Sequence, residues 1–277
     1  MTRVFGVIGY PISHSLSPVM HTAVFRALGL DAVYAPFEVS PRTLSLVMRG
    51  LVAAGIEGLN VTIPHKEALG RSLDALEGDA KHLRAVNTIV IRHRRLIGFN
   101  TDGVGFLTAL GDLRWKPAAG VVTVLGAGGA AKAVVWALSQ YPSLRLVVAN
   151  RHPARADQLV RWLHRLRPRV EAQAQSLRQV RLRDTALLVN ATSVGMDEAD
   201  GLPCELKGLR RETVVYDLVY NRLTPLVREA RRHGCVATTG VSMLVYQGAE
   251  SFRLWWRREP PLAVMRQAVE ETLRQRP

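Results

Sequence analysis

Lysine is nearly missing from this chain. Of its 37 Lys and Arg residues over 277 positions, only Lys66, Lys81, Lys116, Lys132 and Lys207 are lysines. Arg cannot release a proton in a protein and Lys can, so each lysine asks whether its position needs that ability. Cysteine is scarcer still. Cys204 and Cys235 form no CxxC pair and no Cys/His cluster, which excludes a disulfide framework and predicts no metal centre. A reducing cytoplasm is the expected location. Acids are outnumbered, 23 against 37, for a net charge of +14. That balance invites nucleic acid. The basic clusters RWLHRLRPRV (161–170) and RQVRLR (178–183) nevertheless come without a zinc finger, an RNP aromatic motif or a basic zipper. Trp162, Leu163 and Leu166 stand at helical spacing, predicting a packed helix with a solvated Arg face and no nucleic-acid partner. No apolar h-region follows MTRVFGVIGYP, so no secretory signal is expected. Residues 118–138 are long enough for a membrane span, but a glycine cluster and Lys132 favour a buried strand, turn and helix, with no membrane partner.

What is present reads as a folded α/β protein. Apolar residues make up 48% and charged residues 22% of the chain, and the length suits two domains better than one core. Apolar runs alternate with amphipathic stretches almost throughout. Strands are predicted near 4–8, 33–38 and 58–62, helices near 18–28 and 42–54, and a hairpin within NTIVIRHRRLIGFN (87–100). GDLRWKPAAG (111–120) is the candidate linker. Beyond it, apolar runs at 121–125, 144–151, 186–193 and 213–220 predict a second α/β unit with a largely parallel sheet. Two helices divided by Pro260 and Pro261 end the chain.

VTVLGAGGAAKA places a glycine motif after a strand and before a helix. Gly126 permits a tight turn, Gly128 removes a Cβ so that a pyrophosphate can approach the backbone, and Ala131 lets helix and strand pack closely. The helix N-terminus supplies free N–H groups and positive dipole. A glycine-rich turn with no ligand is the competing reading. At the end of the next strand, an NAD site usually carries an acid for the ribose 2′-hydroxyl, whereas Arg suits a 2′-phosphate. No acid occurs between Leu144 and Ala156, while Asn150, Arg151 and Arg155 do. The expected cofactor is therefore NADP, against the alternative of two more surface arginines.

Four polar pieces lie before the linker. PISHSLSP (11–18) brings Ser15 and Ser17 to a helix start, with Ser17 predicted as N-cap and Pro18 in the first helical position. Hydroxyls there suit a carboxylate, although a plain cap accounts for Ser17 equally. NVTIPHKE puts Asn60, Thr62 and Lys66 at the end of a strand. AVNT and GFNTDG add Asn87, Thr101 and Asp102, the last at a predicted helix start that favours its ionised form. Together these groups suit a polyhydroxylated anion, though singly each is a common cap or turn residue.

GYPISHSLSP, NVTIPHK, AVNT, GFNTDGVGF, GAGGAA, NRxxxR, NATSVGM, DLVY and MLVYQGAESF, in this order, resemble the shikimate dehydrogenase family over nearly the whole chain. The resemblance implies NADPH-dependent reduction of 3-dehydroshikimate to shikimate, on the route to aromatic amino acids. It implies a substrate domain (1–102 with 242–277) and a Rossmann-type nucleotide domain (103–241) on either side of a cleft. Lys66 and Asp102 match the catalytic pair. Ser15, Ser17, Asn60, Thr62, Asn87, Tyr220 and Gln247 match the substrate contacts. Gly126, Ala127, Gly128, Gly129, Ala130, Asn150, Arg151, Arg155, Gly240 and Met243 match the NADP site. A monomer or homodimer is implied.

This chain departs from the common pattern in His152 for Thr, Thr22 for Asn and Ser242 for Gly, and it lacks a proline after Asn221. Three alternatives remain open: a quinate/shikimate dehydrogenase with broader substrate or NAD use, a non-catalytic NADP-binding regulatory protein, and a basic nucleic-acid-binding protein.

Overall fold

In the computed structural model, which describes residues 1–276, the alternating pattern resolves into two units. One comprises Met1–Gly105 and the segment from Leu244 onward, and the other Phe106–Met243.

The first unit contains, in chain order, β1 (Arg3–Gly9), α1 (Ser17–Ala27), β2 (Ala32–Glu38), α2 (Leu44–Ala53), β3 (Gly58–Val61), α3 (Lys66–Leu69), β4 (Ala75–Leu76), α4 (Ala80–Leu83), β5 (Thr88–Arg92) and β6 (Arg95–Phe99). The strands form one sheet in the order β2-β1-β3-β5-β6-β4. β1 runs parallel to β2 and β3, whereas β5 is antiparallel to both β3 and β6, forming the expected hairpin with β6. Phe5, Val7 and Ile8 are buried along β1, as the apolar run of a covered central strand requires. Helices α9 (Val241–Trp256) and α10 (Leu262–Gln275) follow later in the chain. Trp255 of α9 packs 5.2 Å from Phe5 and donates its indole N–H to the Ile89 carbonyl at 2.9 Å. Gly58 makes this possible, since a Cβ there would lie 2.4 Å from the Trp255 indole nitrogen.

The second unit has a plainer logic. Helix α5 (Asp102–Asp112) precedes β7 (Gly120–Leu125), α6 (Gly129–Leu138), β8 (Leu144–Asn150), α7 (Pro153–Leu166), β9 (Glu171–Ser176), β10 (Thr185–Asn190), β11 (Val214–Asp217), α8 (Pro225–Arg232) and β12 (Ala237–Thr238). The sheet order is β12-β11-β10-β7-β8-β9, and every pairing is parallel. This is the doubly wound order of a Rossmann-type fold. Its topological switch lies between β7 and β10, where such sheets bind ligands beyond the strands' carboxyl ends.

Several expectations need correction. The N-cap of α1 is Leu16, and Ser17 is already helical; the hydroxyl at this helix start belongs to Ser15, which accepts the Ser17 N–H at 3.3 Å. The division between units falls inside α5, and residues 113–119 are the approach to β7 within the second unit. In α7, Leu163 is fully buried and Trp162 packs 5.8 Å from Trp136, but Leu166 is exposed at the helix end. β9, reading EAQAQS, was not expected: it stands at the edge beside β8, and an edge position lets polar residues alternate where a central strand would need an apolar run.

Candidate active site

The polar residues of the first unit converge on one ion pair. Lys66 opens α3 just after β3, and Asp102 opens α5 just after β6. Their Nζ and Oδ2 atoms lie 2.6 Å apart, with the lysine side chain 17% exposed and the aspartate 5%. The other carboxylate oxygen, Oδ1, accepts from Asn87 Nδ2 at 2.8 Å, and the Asp102 N–H donates to Asn100 Oδ1 at 3.1 Å. Placement in the first turn of a helix adds favourable dipole to the carboxylate. Lys66 is thus held on a buried carboxylate while its own side chain stays partly exposed.

Sheet register explains how residues far apart in sequence meet here. β3 and β5 pair Asn60 with Thr88, and β5 and β6 pair Thr88 with Phe99. Asn87 and Thr101 therefore face each other past the ends of their strands. Asn87 Nδ2 donates to Thr101 Oγ1 at 2.9 Å and reaches Gln247 Oε1 at 3.3 Å, and Asn87 Oδ1 accepts the Thr101 N–H at 2.8 Å. Thr101 Oγ1 also donates to the Gln247 carbonyl at 3.0 Å, tying α9 into the cluster.

Asn60 lies beneath this layer. Its Oδ1 accepts from the Tyr34 hydroxyl at 2.7 Å, and its Nδ2 donates to the Asn87 carbonyl at 3.1 Å and to Ser251 Oγ at 2.9 Å. Both amide hydrogens are thereby committed inside the protein, so its geometry is that of a support beneath Asn87. Tyr34, Thr88, Asn100 and Ser251 escaped the sequence reading. Ser251 had a usable signal, standing four residues after Gln247 on the same face of α9.

Thr62 follows β3, half-buried, and its Cγ2 would lie 2.5 Å from a Cβ on Gly9. That glycine therefore lets Thr62 close against the end of β1, from which the segment bearing half-buried Ser15 and buried Ser17 departs. Among the described residues no hydrogen bond joins these three side chains to the Lys66 cluster.

In the second unit, Gly126 follows β7 with φ +112°, and a Cβ on it would meet the Ala191 carbonyl oxygen at 2.7 Å. Only glycine fits that turn. Among the described residues nothing lies within 4 Å of the Cβ position of Gly128, and no side chain caps α6. The free N–H groups of Gly129, Ala130 and their neighbours thus adjoin an open cradle of the kind a pyrophosphate fills. Ala127 sits between the two turn glycines. We expect Gly126→Ala to weaken NADP binding at least tenfold and to lower Tm, the strain of a non-glycine residue there being about 1–3 kcal/mol. Calorimetric titration and a thermal melt check this, and unchanged affinity would overturn the placement of the cradle.

At the end of β8, Asn150 Oδ1 accepts the His152 N–H at 2.9 Å, closing a turn that sets Arg151 outside it. Arg151, His152 and Arg155 are exposed, and neither arginine has a salt-bridge partner among the described residues. Tyr220 is half-buried after β11. Gly240 lies tight against the Leu218 carbonyl, and the Met243 N–H donates to the Tyr216 hydroxyl at 3.2 Å.

Residues 7–89 match the shikimate dehydrogenase substrate binding domain and residues 240–270 the shikimate 5′-dehydrogenase C-terminal domain. A shikimate dehydrogenase (NADP+) of Methanopyrus kandleri is 44% identical over 283 residues, covering 99% of this chain and 97% of its own. The chain belongs to the shikimate dehydrogenase family. Among solved structures of this family, a shikimate dehydrogenase in complex with NADP+ superposes with a TM-score of 0.91 at 36% identity, covering 98% of this chain and 96% of its own. The Thermus thermophilus shikimate 5-dehydrogenase in complex with NADP(H) and shikimate gives 0.88 at 37% identity, covering 98% and 99%. Among the described residues no group of three or more His, Cys, Asp or Glu could hold a metal, and no helix is long and apolar enough to cross a membrane.

Proposed function

We propose that this chain catalyses the NADP-dependent interconversion of 3-dehydroshikimate and shikimate, with Lys66 as proton donor and acceptor and Asp102 as its orienting partner. The observation carrying this reading is the 2.6 Å Lys66–Asp102 pair, buried on the aspartate side and braced by Asn87. NADP, when bound, supplies or removes the hydride. The rest of the chemistry belongs to the side chains.

Reduction of a ketone builds negative charge on its oxygen, and a proton donor within hydrogen-bond reach lowers that barrier. Lys66 Nζ gives the proton to that oxygen, and its partly exposed side chain takes one back from water. Asp102 holds the ammonium in place and accepts from a neighbouring ring hydroxyl. Asn87 and Thr101 keep the carboxylate from rotating, since one grips Oδ1 and the other locks Asn87. Thr62 and Gln247 serve the ring hydroxyls. Ser15 and Ser17 hold the substrate carboxylate with neutral donors, leaving Lys66 as the full positive charge committed to the reacting oxygen. Gly126, Gly128 and the first turn of α6 would hold the pyrophosphate, and Arg151 with Arg155 the 2′-phosphate.

The test is direct. Purified chain with NADPH and 3-dehydroshikimate should consume reduced nicotinamide, run backwards with shikimate and NADP+, and prefer NADPH to NADH. No substrate-dependent change in absorbance would overturn the proposal. Faster turnover of quinate with NAD+ would put the broader quinate/shikimate reading in its place.

A further inference from the structure

Asp217 is a fully buried acid that the mechanism above does not use. It ends β11, and its side chain reaches three separate segments of the second unit. Oδ1 accepts from Asn190 Nδ2 at 2.8 Å and from the Val219 N–H at 3.1 Å, while Oδ2 accepts from the Thr224 hydroxyl at 2.7 Å. Each partner governs its own stretch of backbone. Asn190 ends β10, accepts the Thr192 N–H and hydroxyl, and donates to the Val194 carbonyl. Thr224 caps α8 by accepting the Val227 N–H. Val219 accepts the Gly240 N–H at 2.9 Å, and Leu218 donates to the Asn190 carbonyl at 2.9 Å.

These segments border the place where the fold binds its cofactor. The β10 end lies at the switch point, and the Ala191 carbonyl is the atom against which the Gly126 turn closes. In this strand order the adenosine half of a dinucleotide lies toward β8, so the other half crosses the ends of β10 and β11. We propose that Asp217 is a positioning residue whose carboxylate fixes the loops after β10 and β11 in the arrangement that receives the nicotinamide half of NADP. This rests on the reading of the second unit as the NADP site.

The three donors aimed at one carboxylate favour its charged form, while burial opposes that form and pushes its pKa up to about 6. Among the described residues no cation pairs with it: its hydrogen-bond partners are an amide, a hydroxyl and a backbone N–H. A charge that burial penalises fits a requirement for three acceptor contacts at once, which an asparagine with a single oxygen cannot supply.

The experiment compares two ligands by calorimetric titration: NADP+ and its adenosine 2′,5′-bisphosphate fragment. Asp217→Asn should weaken NADP+ binding about tenfold, the scale of unpairing buried donors, and leave the fragment within about twofold. Thr224→Val, which removes one donor at nearly constant volume, should show the same split, and Thr224→Ser should restore native behaviour. Should Asp217→Asn not fold, the two Thr224 variants carry the test alone. Equal loss of both ligands, or no loss of NADP+, overturns the inference while leaving the NADP reading intact. If the native chain binds neither ligand, the NADP reading fails and the inference falls with it.

Discussion

Lys66→Met lowers kcat for 3-dehydroshikimate reduction by two orders of magnitude or more while KM for the substrate stays within about threefold, because general acid catalysis contributes ~100- to 10,000-fold. Methionine keeps the length and much of the volume of the side chain. Asp102 retains Asn87 Nδ2 and the first turn of α5, so the polar layer around it has bonds that do not depend on the lysine. Leaving the carboxylate without its ammonium still costs stability, and the melt of the variant should fall. Lys66→Arg supplies the charge and separates the two roles of the residue. If the ammonium only orients Asp102, arginine restores turnover; if it transfers the proton, arginine does not, since a guanidinium stays charged. NADP titration of both variants verifies that the second unit is intact. Near-native kcat for Lys66→Met sinks the assignment.

The scarcity of lysine pointed toward this residue, but weakly. Lys132 sits over the Trp162 ring at 4.6 Å, a packing contact with no chemistry to explain. Motif order is far more informative than composition, because the polar residues of the cluster stand in short segments at strand ends, where sequence motifs are compact. What stayed hidden were contacts made across the sheets. The resemblance already implies that Asn60 supports its strand end, but the bonds by which it does so, to Tyr34 and to Ser251 191 residues away, are not legible in the sequence. Asn190 and Asp217 lie 27 residues apart, with nothing between them to announce that they meet. Edge strand β9 was illegible for another reason: with one neighbour it has no need of the apolar run by which strands are recognised.

Asp217 also makes a statement about stability. Its pKa in the folded chain is raised to about 6, above an unfolded value near ~3.9. Between those two values the folded chain binds more protons, so the contribution of Asp217 to stability is greatest below the window and is lost as pH rises through it. The stability of the native chain relative to Asp217→Asn should therefore fall from pH ~4 to pH ~6 and level off above, read by denaturant titration across that range. A difference independent of pH would mean that the carboxyl titrates alike in both states.

Arg151→Asp should raise the Kd for NADP+ about a hundredfold while the Kd for NAD+ changes by less than about threefold, the scale of losing a charge-assisted contact and gaining a repulsive one. The turn after β8 is built by Asn150, whose side chain takes the His152 N–H, so replacing the Arg151 side chain leaves the backbone in place. Arg151 is exposed and in no salt bridge among the described residues, so its removal unpairs nothing inside the protein. Arg155, in the first turn of α7, is exposed like Arg151, and Arg155→Ala should shift the two affinities in the same direction by a smaller factor. If both arginines read the 2′-phosphate through charge at an exposed site, native NADP+ affinity weakens as salt rises, and more steeply than in the Arg151→Asp variant. Asp at this position also offers an acceptor to a ribose 2′-hydroxyl, as NAD sites do, which is why NAD+ affinity holds where NADP+ affinity collapses. Equal losses for the two cofactors would show that Arg151 shapes the turn and does not read the phosphate. A loss confined to NAD+ would reverse the assignment of the cofactor itself.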